Sequence, residues 1–270
     1  LSSYYPIQPE LVQKTYSYRE LAPNSHLNQD ILFYYEFEPI GINSDIHVIP
    51  DACQDLMFYM GKNQQVVLGN TPTTREIYSF TPKGKYFGVR LNPKQTVIQY
   101  NCALKQIVQQ PFVNVELGCT LDSKFIQSVF EAEDFEQRVQ ICNEYFGSQK
   151  KDKSLGDEIF ATCFDSIIEN NGLFLPAVIQ HKTGYSERYI RELFYKKTGF
   201  GPKKLSKFIR IQLLLQHFSF EETPVNIDQY GYYDPSHYYK EFKSLLVITP
   251  AEYIKEFLGW KNIKRKFLSY

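Results

Sequence analysis

Gly184-Tyr-Ser-Glu-Arg-Tyr-Ile-Arg-Glu-Leu-Phe-Tyr-Lys-Lys-Thr-Gly199 and Gly231-Tyr-Tyr-Asp-Pro-Ser-His-Tyr-Tyr-Lys-Glu-Phe-Lys243 decide how this chain is read, because they are two copies of one pattern. In the first copy Phe194 lies ten residues after Gly184, Pro202 eight further on and Leu205 three beyond that. In the second, Phe242 lies eleven residues after Gly231, Pro250 eight further on and Tyr253 three beyond that. Between glycine and phenylalanine each copy predicts a short amphipathic helix, over 186–197 and 235–245. Ile190 with Phe194, and Tyr238 with Phe242, are the apolar i, i+4 pairs. A further helical segment precedes each glycine, over 176–182 and 224–229. Helix, short glycine-bearing turn, helix is the helix-turn-helix unit, and glycine enters the turn without a Cβ clash at positive φ. Forty-seven residues separate Gly184 from Gly231. Two such units predict a bipartite reader of DNA.

On these residues the chain resembles the AraC/XylS-type transcription regulators. The first stretch is similar to that family's first helix-turn-helix, and Pro202, Arg210 and the apolar run 211–218 are similar to the long helix joining its two units. The second stretch, followed by Thr249-Pro-Ala-Glu-Tyr253, resembles the second unit, and the likeness covers roughly residues 155–257. Four positions depart from the family pattern. Gln180 and Ile227 replace the small alanine in the first helix of each unit, Leu214 replaces the alanine of the linking helix, and Val247 replaces the glycine before the second proline. Bulkier residues there imply an altered angle between the units with the DNA-facing surfaces kept.

Composition fits this reading and excludes others. A chain of 270 residues can hold two modest domains, and 43% apolar with 22% charged residues is ordinary for a globular protein. No window approaches eighteen uninterrupted apolar residues, so nothing is expected to cross a membrane, and the first residues carry no basic-then-apolar signal pattern. Cys53, Cys102, Cys119, Cys142 and Cys163 are odd in number and scattered, against a disulfide framework or a zinc site and for buried thiols in a cytoplasmic protein. Charge is uneven: residues 1–150 hold twelve Lys/Arg against sixteen Asp/Glu, and residues 151–270 hold eighteen against fourteen. The sign turns positive where the DNA-reading pattern begins.

The first ninety or so residues read as β structure. Segments 31–37, 46–49, 56–60, 66–68, 76–81 and 86–91 are short and rich in β-branched and aromatic residues, with Pro, Gly, Asn and Asp clusters between them. Gly88, inside the last segment, is a candidate bend. Such spacing predicts a small antiparallel barrel or sandwich. Glu20-Leu-Ala-Pro23, Pro50-Asp-Ala-Cys-Gln-Asp-Leu56 and Phe87-Gly-Val-Arg90 resemble the β-barrel sensor domain fused to some AraC-type regulators, which implies a cupin-like barrel around a small effector. Helices are expected over 95–108, 123–130 and 135–146. The apolar faces Phe125/Ile126/Val129/Phe130 and Val139/Cys142/Tyr145/Phe146 serve either to pack on the barrel or to pair two chains. The polar run 147–154 is the linker candidate, Ser154 and Asp157 open the next helix as a capping box, Thr223-Pro224 opens the second unit, and the basic tail 260–270 reads as a solvated extension. The expected fold is therefore α+β with two domains. Residues 1–118 form the small antiparallel, cupin-like β-barrel, 119–153 form linker helices suited to dimerisation, and 154–270 form the all-α tandem helix-turn-helix domain.

A recognition helix offers its N-terminal, outward residues to base edges. In the first unit these are Ser186, Glu187, Arg188, Arg191 and Glu192. Arg188 and Arg191 share a face and suit guanine O6 and N7; surface salt bridges are the competing role. In the second unit the outward set is Pro235, Ser236, His237, Tyr239 and Lys240, expected to give mainly backbone affinity. His47, Asp51, Asp55, Arg75 and Arg90 are candidate effector-pocket linings, with turn and strand hydrogen bonding as the other reading of the two aspartates. His26 and His47 lie too far apart in sequence for a cupin metal site, and no nucleophile or phosphate loop accompanies the carboxylates, so neither an enzyme nor a cofactor is expected. The expectation is a cytoplasmic bacterial regulator setting two helices into successive major grooves of double-stranded DNA, about 34 Å apart. A small-molecule effector, a second copy of the chain and RNA polymerase are the further partners, and activation is the role that the resemblance implies. The alternative is a metabolite-binding β-barrel whose helical half contacts protein.

Overall fold

The computed structural model describes residues 4–40, 45–149, 153–220 and 225–257. Its first half contains α1 (Pro9–Gln13), β1 (Arg19–Leu21), β2 (Ile31–Phe37), β3 (Asp45–Val48), β4 (Gln54–Tyr59), β5 (Gln65–Asn70), β6 (Glu76–Ser79), β7 (Tyr86–Leu91) and β8 (Gln99–Tyr100). Then come α2 (Leu104–Ile107), β9 (Phe112–Asn114), α3 (Val115–Gly118), β10 (Cys119–Thr120), α4 (Ser123–Glu131) and α5 (Phe135–Ser148). The second half is helical: α6 (Leu155–Glu169), α7 (Pro176–Thr183), α8 (Glu187–Thr198), α9 (Pro202–Phe220), a 3-10 turn Ile227–Tyr230, α10 (Pro235–Leu246) and α11 (Pro250–Phe257). The expected Thr223-Pro224 opening, the tail 260–270 and the centre of the expected linker lie outside the described residues.

The N-terminal half is not the cupin-like barrel that its sequence suggests. Among the described residues the main sheet has the order β1-β2-β7-β4-β5-β9, while β3 pairs only with β6. The edge strands β1 and β9 are three residues long and do not meet, so the sheet stays open. Aromatic packing fills the seam where a ladder would have to continue. Phe80, just past β6, sets its ring 5.3 Å from Phe37, 5.2 Å from Tyr86 and 5.8 Å from Phe112. Rings of that size stand between the two-stranded β3–β6 sheet and the main sheet.

Alternation sorts the sheet residues to two faces. Tyr34, Leu56, Phe58, Leu68, Phe87 and Val89 face the helices and join one large core, whereas Phe33, Tyr35, Phe37, Met57 and Tyr86 face the two-stranded β3–β6 sheet. Gly88 is no bend. It holds register with Tyr35 on one side and Met57 on the other, and a Cβ there would lie 2.2 Å from the Tyr35 ring. The apolar faces of α4 and α5 are used within the chain: Phe125 stacks on Tyr145 at 3.8 Å, and Phe58 meets both Phe125 and Phe130. The helix expected over 95–108 is only α2. Asp30 accepts from the Thr96 N–H and hydroxyl, and the Gln95 side chain accepts from the Ile98 N–H, so local side chains satisfy backbone groups that a helix would have used.

The two halves are joined by buried hydrogen bonds. Gln212 of α9, fully buried, accepts from the Ile7 N–H at 2.8 Å and donates to the Pro50 carbonyl at 2.9 Å. Tyr4 meets Phe164 of α6 edge-on at 5.7 Å. The N-terminal strap thus ties the sheet to the helix that links the two units.

Candidate nucleic-acid interface

In the first unit α7 ends at Gly184, left-handed at φ 76° with open space around it. Ser186 caps α8, its hydroxyl accepting from the Tyr189 N–H at 3.3 Å. Ile190 and Phe194 are fully buried and Leu193 nearly so, with the Phe194 ring 4.9 Å from Phe160 of α6. Anchoring that face turns Ser186, Glu187, Arg188, Arg191 and Glu192 outward, and all five are exposed. Arg188 donates to Glu192 at 3.2 Å, the surface pair its spacing allows, while their side chains remain 85% and 64% exposed. Such a pair contributes only about 0.3–0.5 kcal/mol, so a phosphate or guanine can displace it. Arg191 has no ion-pair partner among the described residues.

The second unit repeats the plan with a smaller first element. The 3-10 turn Ile227–Tyr230 stands where a helix over 224–229 is expected, because the Asn226 side chain accepts from the Asp228 N–H and the Gly231 N–H closes back on Asp228. Gly231 is left-handed at φ 73°. Asp234 caps α10 by accepting from the His237 N–H at 2.8 Å. Tyr238, Phe242 and Leu245 face the core, and Pro235, Ser236, His237, Tyr239 and Lys240 are exposed. The Asp234 carboxylate takes the His237 N–H, one of the first-turn donors that a phosphate would seek. Tyr233, 93% exposed with its ring parallel to His237, is an interface candidate that sequence reasoning missed. In the Tyr232-Tyr233 doublet only the structure says which ring is buried.

A buried network sets the angle of α10 on α9. Arg210 donates to Glu241, the Tyr232 hydroxyl donates to the same oxygen at 2.9 Å, and Arg210 lies 4.9 Å above the Tyr232 ring. Burial raises the Glu241 carboxyl, but the Arg210 charge and hydrogen bond outweigh it and hold it below its ordinary value. Beside this network Gly172, at φ 82°, lies so close to Arg210 that a Cβ would be 2.4 Å from its Cα, and the Gly172 carbonyl accepts from Ser206 at 2.6 Å. The four family departures are absorbed differently. Gln180 is exposed, Ile227 half-buried and Leu214 fully buried, while Val247 caps α10 at φ 64° with 58% of its surface exposed.

The five effector candidates fall into two ion-pair groups. Arg90 grips Asp55 through two bonds of 2.9 and 3.0 Å and also meets Asp51. Burial works against the Arg90 charge, yet the two carboxylates outweigh it and raise its pKa. Asp51 also accepts from the Cys53 N–H, the turn role weighed for it, and from Gln8 at 2.8 Å. His47 and Arg75 instead converge on Glu10, the imidazole Nδ1 2.8 Å from its carboxylate. Beside Asp51, Asp55 and Arg90 lies a cavity of only about 30 Å³, room for roughly one water. Arg75 also reaches the second unit, its N–H donating to the Leu245 carbonyl at 2.7 Å and its guanidinium lying 3.4 Å from Glu256. Among the described residues no group of three or more His, Cys, Asp or Glu is arranged to hold a metal, and no helix is long and apolar enough to cross a membrane.

A family model described as a domain of unknown function, DUF6597, matches residues 19–111, within the sheet-bearing half. No curated protein matches the chain. Among solved structures it is similar to an apo, lysine-to-alanine variant of ToxT from Vibrio cholerae strain SCE256, at 13% identity over 89% of this chain and 96% of that one, TM-score 0.39. It is similar also to ToxT from Vibrio cholerae O395 bound to (E)-4-(8-methylnaphthalen-1-yl)but-3-enoic acid, at 13% identity over 89% of this chain and 98% of that one, TM-score 0.38. A likeness at that level bears on no residue or ligand here.

Proposed function

We propose that the chain is a sequence-specific DNA-binding transcription regulator of the AraC/XylS type and not an enzyme. One observation carries this reading. Two helix-turn-helix units, each turning at a left-handed glycine, bury one face of α8 and α10 and leave all ten base- and phosphate-facing candidates exposed. Double-stranded DNA is the partner that such paired helices fit. The resemblance adds action in the bacterial cytoplasm, activation through RNA polymerase, and control by an effector or by pairing of two chains. Residues 1–118 are proposed as the sensing part, 119–153 as the helices that join it, and 154–270 as the reading part. In the reading part Arg191 serves base readout, with Arg188 beside it, and Lys240 serves backbone affinity.

The test compares Arg191→Ala with Lys240→Ala by fluorescence anisotropy on specific and scrambled duplexes at several salt concentrations. Arg191→Ala is expected to relax discrimination at one base position by roughly 1–3 kcal/mol. Lys240→Ala is expected to weaken all sequences alike and to lower the salt slope by about one. Equal loss on every duplex from Arg191→Ala would remove it from base readout.

A further inference from the structure

The outward stripe of α8 runs on past the residues assigned to DNA. At about 3.6 residues per turn, Tyr195 falls between Arg188 and Arg191 on one face, and Lys196 falls beside Glu192. Both are exposed, Tyr195 by 41%. The sheet-bearing half comes to meet that stripe. α2 is seated on the C-terminal end of α8 at Gly199, left-handed at φ 76°, where a Cβ would lie 2.8 Å from both Val108 methyls and 3.1 Å from the Leu104 carbonyl carbon. From this seat Lys105, itself exposed, sets its ammonium 5.7 Å from the centre of the Tyr195 ring, within cation–π range. The Tyr195 hydroxyl packs on Gly201, where a Cβ would lie 3.1 Å from it. Neither Lys105 nor Lys196 has an ion-pair partner among the described residues. Glu192, one turn before Lys196, is bonded to Arg188, and Asp157 is bonded to Lys197. Glu187 stands at the opposite end of α8.

We infer that Lys105 is a phosphate contact of the DNA that α8 reads, so that the sheet-bearing half holds the duplex directly. The inference rests on the regulator reading and deepens it. A recognition helix offers its N-terminal turn to the base edges, and the major groove is about 8.5 Å deep. At about 1.5 Å per residue, Tyr195 and Lys196 stand roughly 10–12 Å along α8 from Arg188. That distance brings them out to the phosphate rim. A lysine ammonium is a point charge with three rotatable donors, suited to a phosphate and indifferent to base sequence. The Tyr195 ring keeps the Lys105 ammonium beside the rim, and Lys196 brings a second charge to it. One lysine comes from each half of the chain.

The experiment follows binding of the full chain to a duplex enriched from a random pool, and to a scrambled duplex, by fluorescence anisotropy between about 50 and 200 mM salt. Each phosphate contact adds about 0.9 to the slope of log affinity on log salt, so over that range one lost contact removes roughly a 3.5-fold salt effect. Lys105→Gln is expected to lower the slope by about 0.9, to weaken both duplexes alike, and to leave base preference and the urea-unfolding midpoint unchanged. Lys124→Gln, which removes the same charge from the exposed side of α4, should keep the native slope. Replacing phosphates one at a time by neutral methylphosphonate should reveal a position whose neutralisation weakens the native chain and not Lys105→Gln. An equal fall in slope from Lys124→Gln, or the absence of any such position, overturns the contact. A chain that binds no duplex sinks the regulator reading and the contact with it, whereas a chain that binds while Lys105→Gln keeps the native slope sinks the contact alone.

Discussion

Replacing Gly172 by alanine tests whether the close approach between the α6 end and α9 is what fixes the reading units. Gly172 and Gly184 have nearly the same left-handed φ, 82° and 76°. An L-residue in that region costs roughly 1–2 kcal/mol, and this cost is common to both substitutions. The surroundings differ. A Cβ at 184 meets nothing within 4 Å, whereas at 172 it would lie 2.4 Å from the Cα and Cβ of Arg210 and 2.6 Å from its nitrogen. Backbone cannot swing aside as a side-chain tip can, so overpacking adds about 1–3 kcal/mol. Shifting the segment also strains the 2.6 Å bond from Ser206 to the Gly172 carbonyl, worth about 0.5–1.5 kcal/mol. Gly172→Ala should therefore cost about 2.5–6.5 kcal/mol and Gly184→Ala about 1–2 kcal/mol, read from urea unfolding followed by circular dichroism. Because Arg210 also holds Glu241 on α10, the folded Gly172→Ala chain should lose DNA affinity as well. Equal losses from the two substitutions would refute the reasoning, since the Arg210 contact and the Ser206 bond are what separate them.

Glu10 should carry part of the acid sensitivity. Burial alone would raise its carboxyl, but hydrogen bonds from Arg75, Lys14 and His47 bring it from 4.5 down to about 2. Its stabilisation is therefore complete above pH 4.5 and is lost as the pH falls toward 2, so the fall in unfolding midpoint over that window should be shallower in Glu10→Gln. Val247→Gly relieves a β-branched residue at φ 64° whose side chain is mostly exposed. It should leave stability unchanged or raise it by up to about 1 kcal/mol after the flexibility of glycine is counted; a loss above 1 kcal/mol in urea unfolding would mean that the Val247 side chain packs. Glu241→Gln leaves the Arg210 charge buried without its partner and should lower stability by about 3 kcal/mol, while Glu192→Gln, at an exposed pair, should change it by less than 0.5 kcal/mol.

What the sequence makes legible is what short-range physics dictates. The strand over 31–37, the glycine turns at 184 and 231, the Ser154–Asp157 capping box and the outward residues of α8 and α10 all follow from periodicity and local bonding, and the structure places them there. Closure of the sheet is a long-range property. It depends on where the rings of Phe37, Phe80, Tyr86 and Phe112 meet, and no spacing reveals that they stand between the β3–β6 pair and the main sheet. Gly88 reads as a bend in sequence but serves the Tyr35 ring on a neighbouring strand. Gln212 reads as a polar interruption in an apolar helix, yet its two bonds reach residues more than 160 positions away. The effector candidates are charged residues near strands, and the charges prove to satisfy one another.

The central claim is that α8 and α10 of one chain read two neighbouring major grooves. Selection of bound sequences from random duplexes by the full chain, followed by hydroxyl-radical footprinting, tests it most directly. The account predicts an enriched site with two protected segments whose centres lie about 10 base pairs apart on one face, base preference in one segment relaxed by Arg191→Ala and backbone protection of the other weakened on every sequence by Lys240→Ala. Failure to enrich any motif, or a single short site indifferent to the second helix, would contradict it.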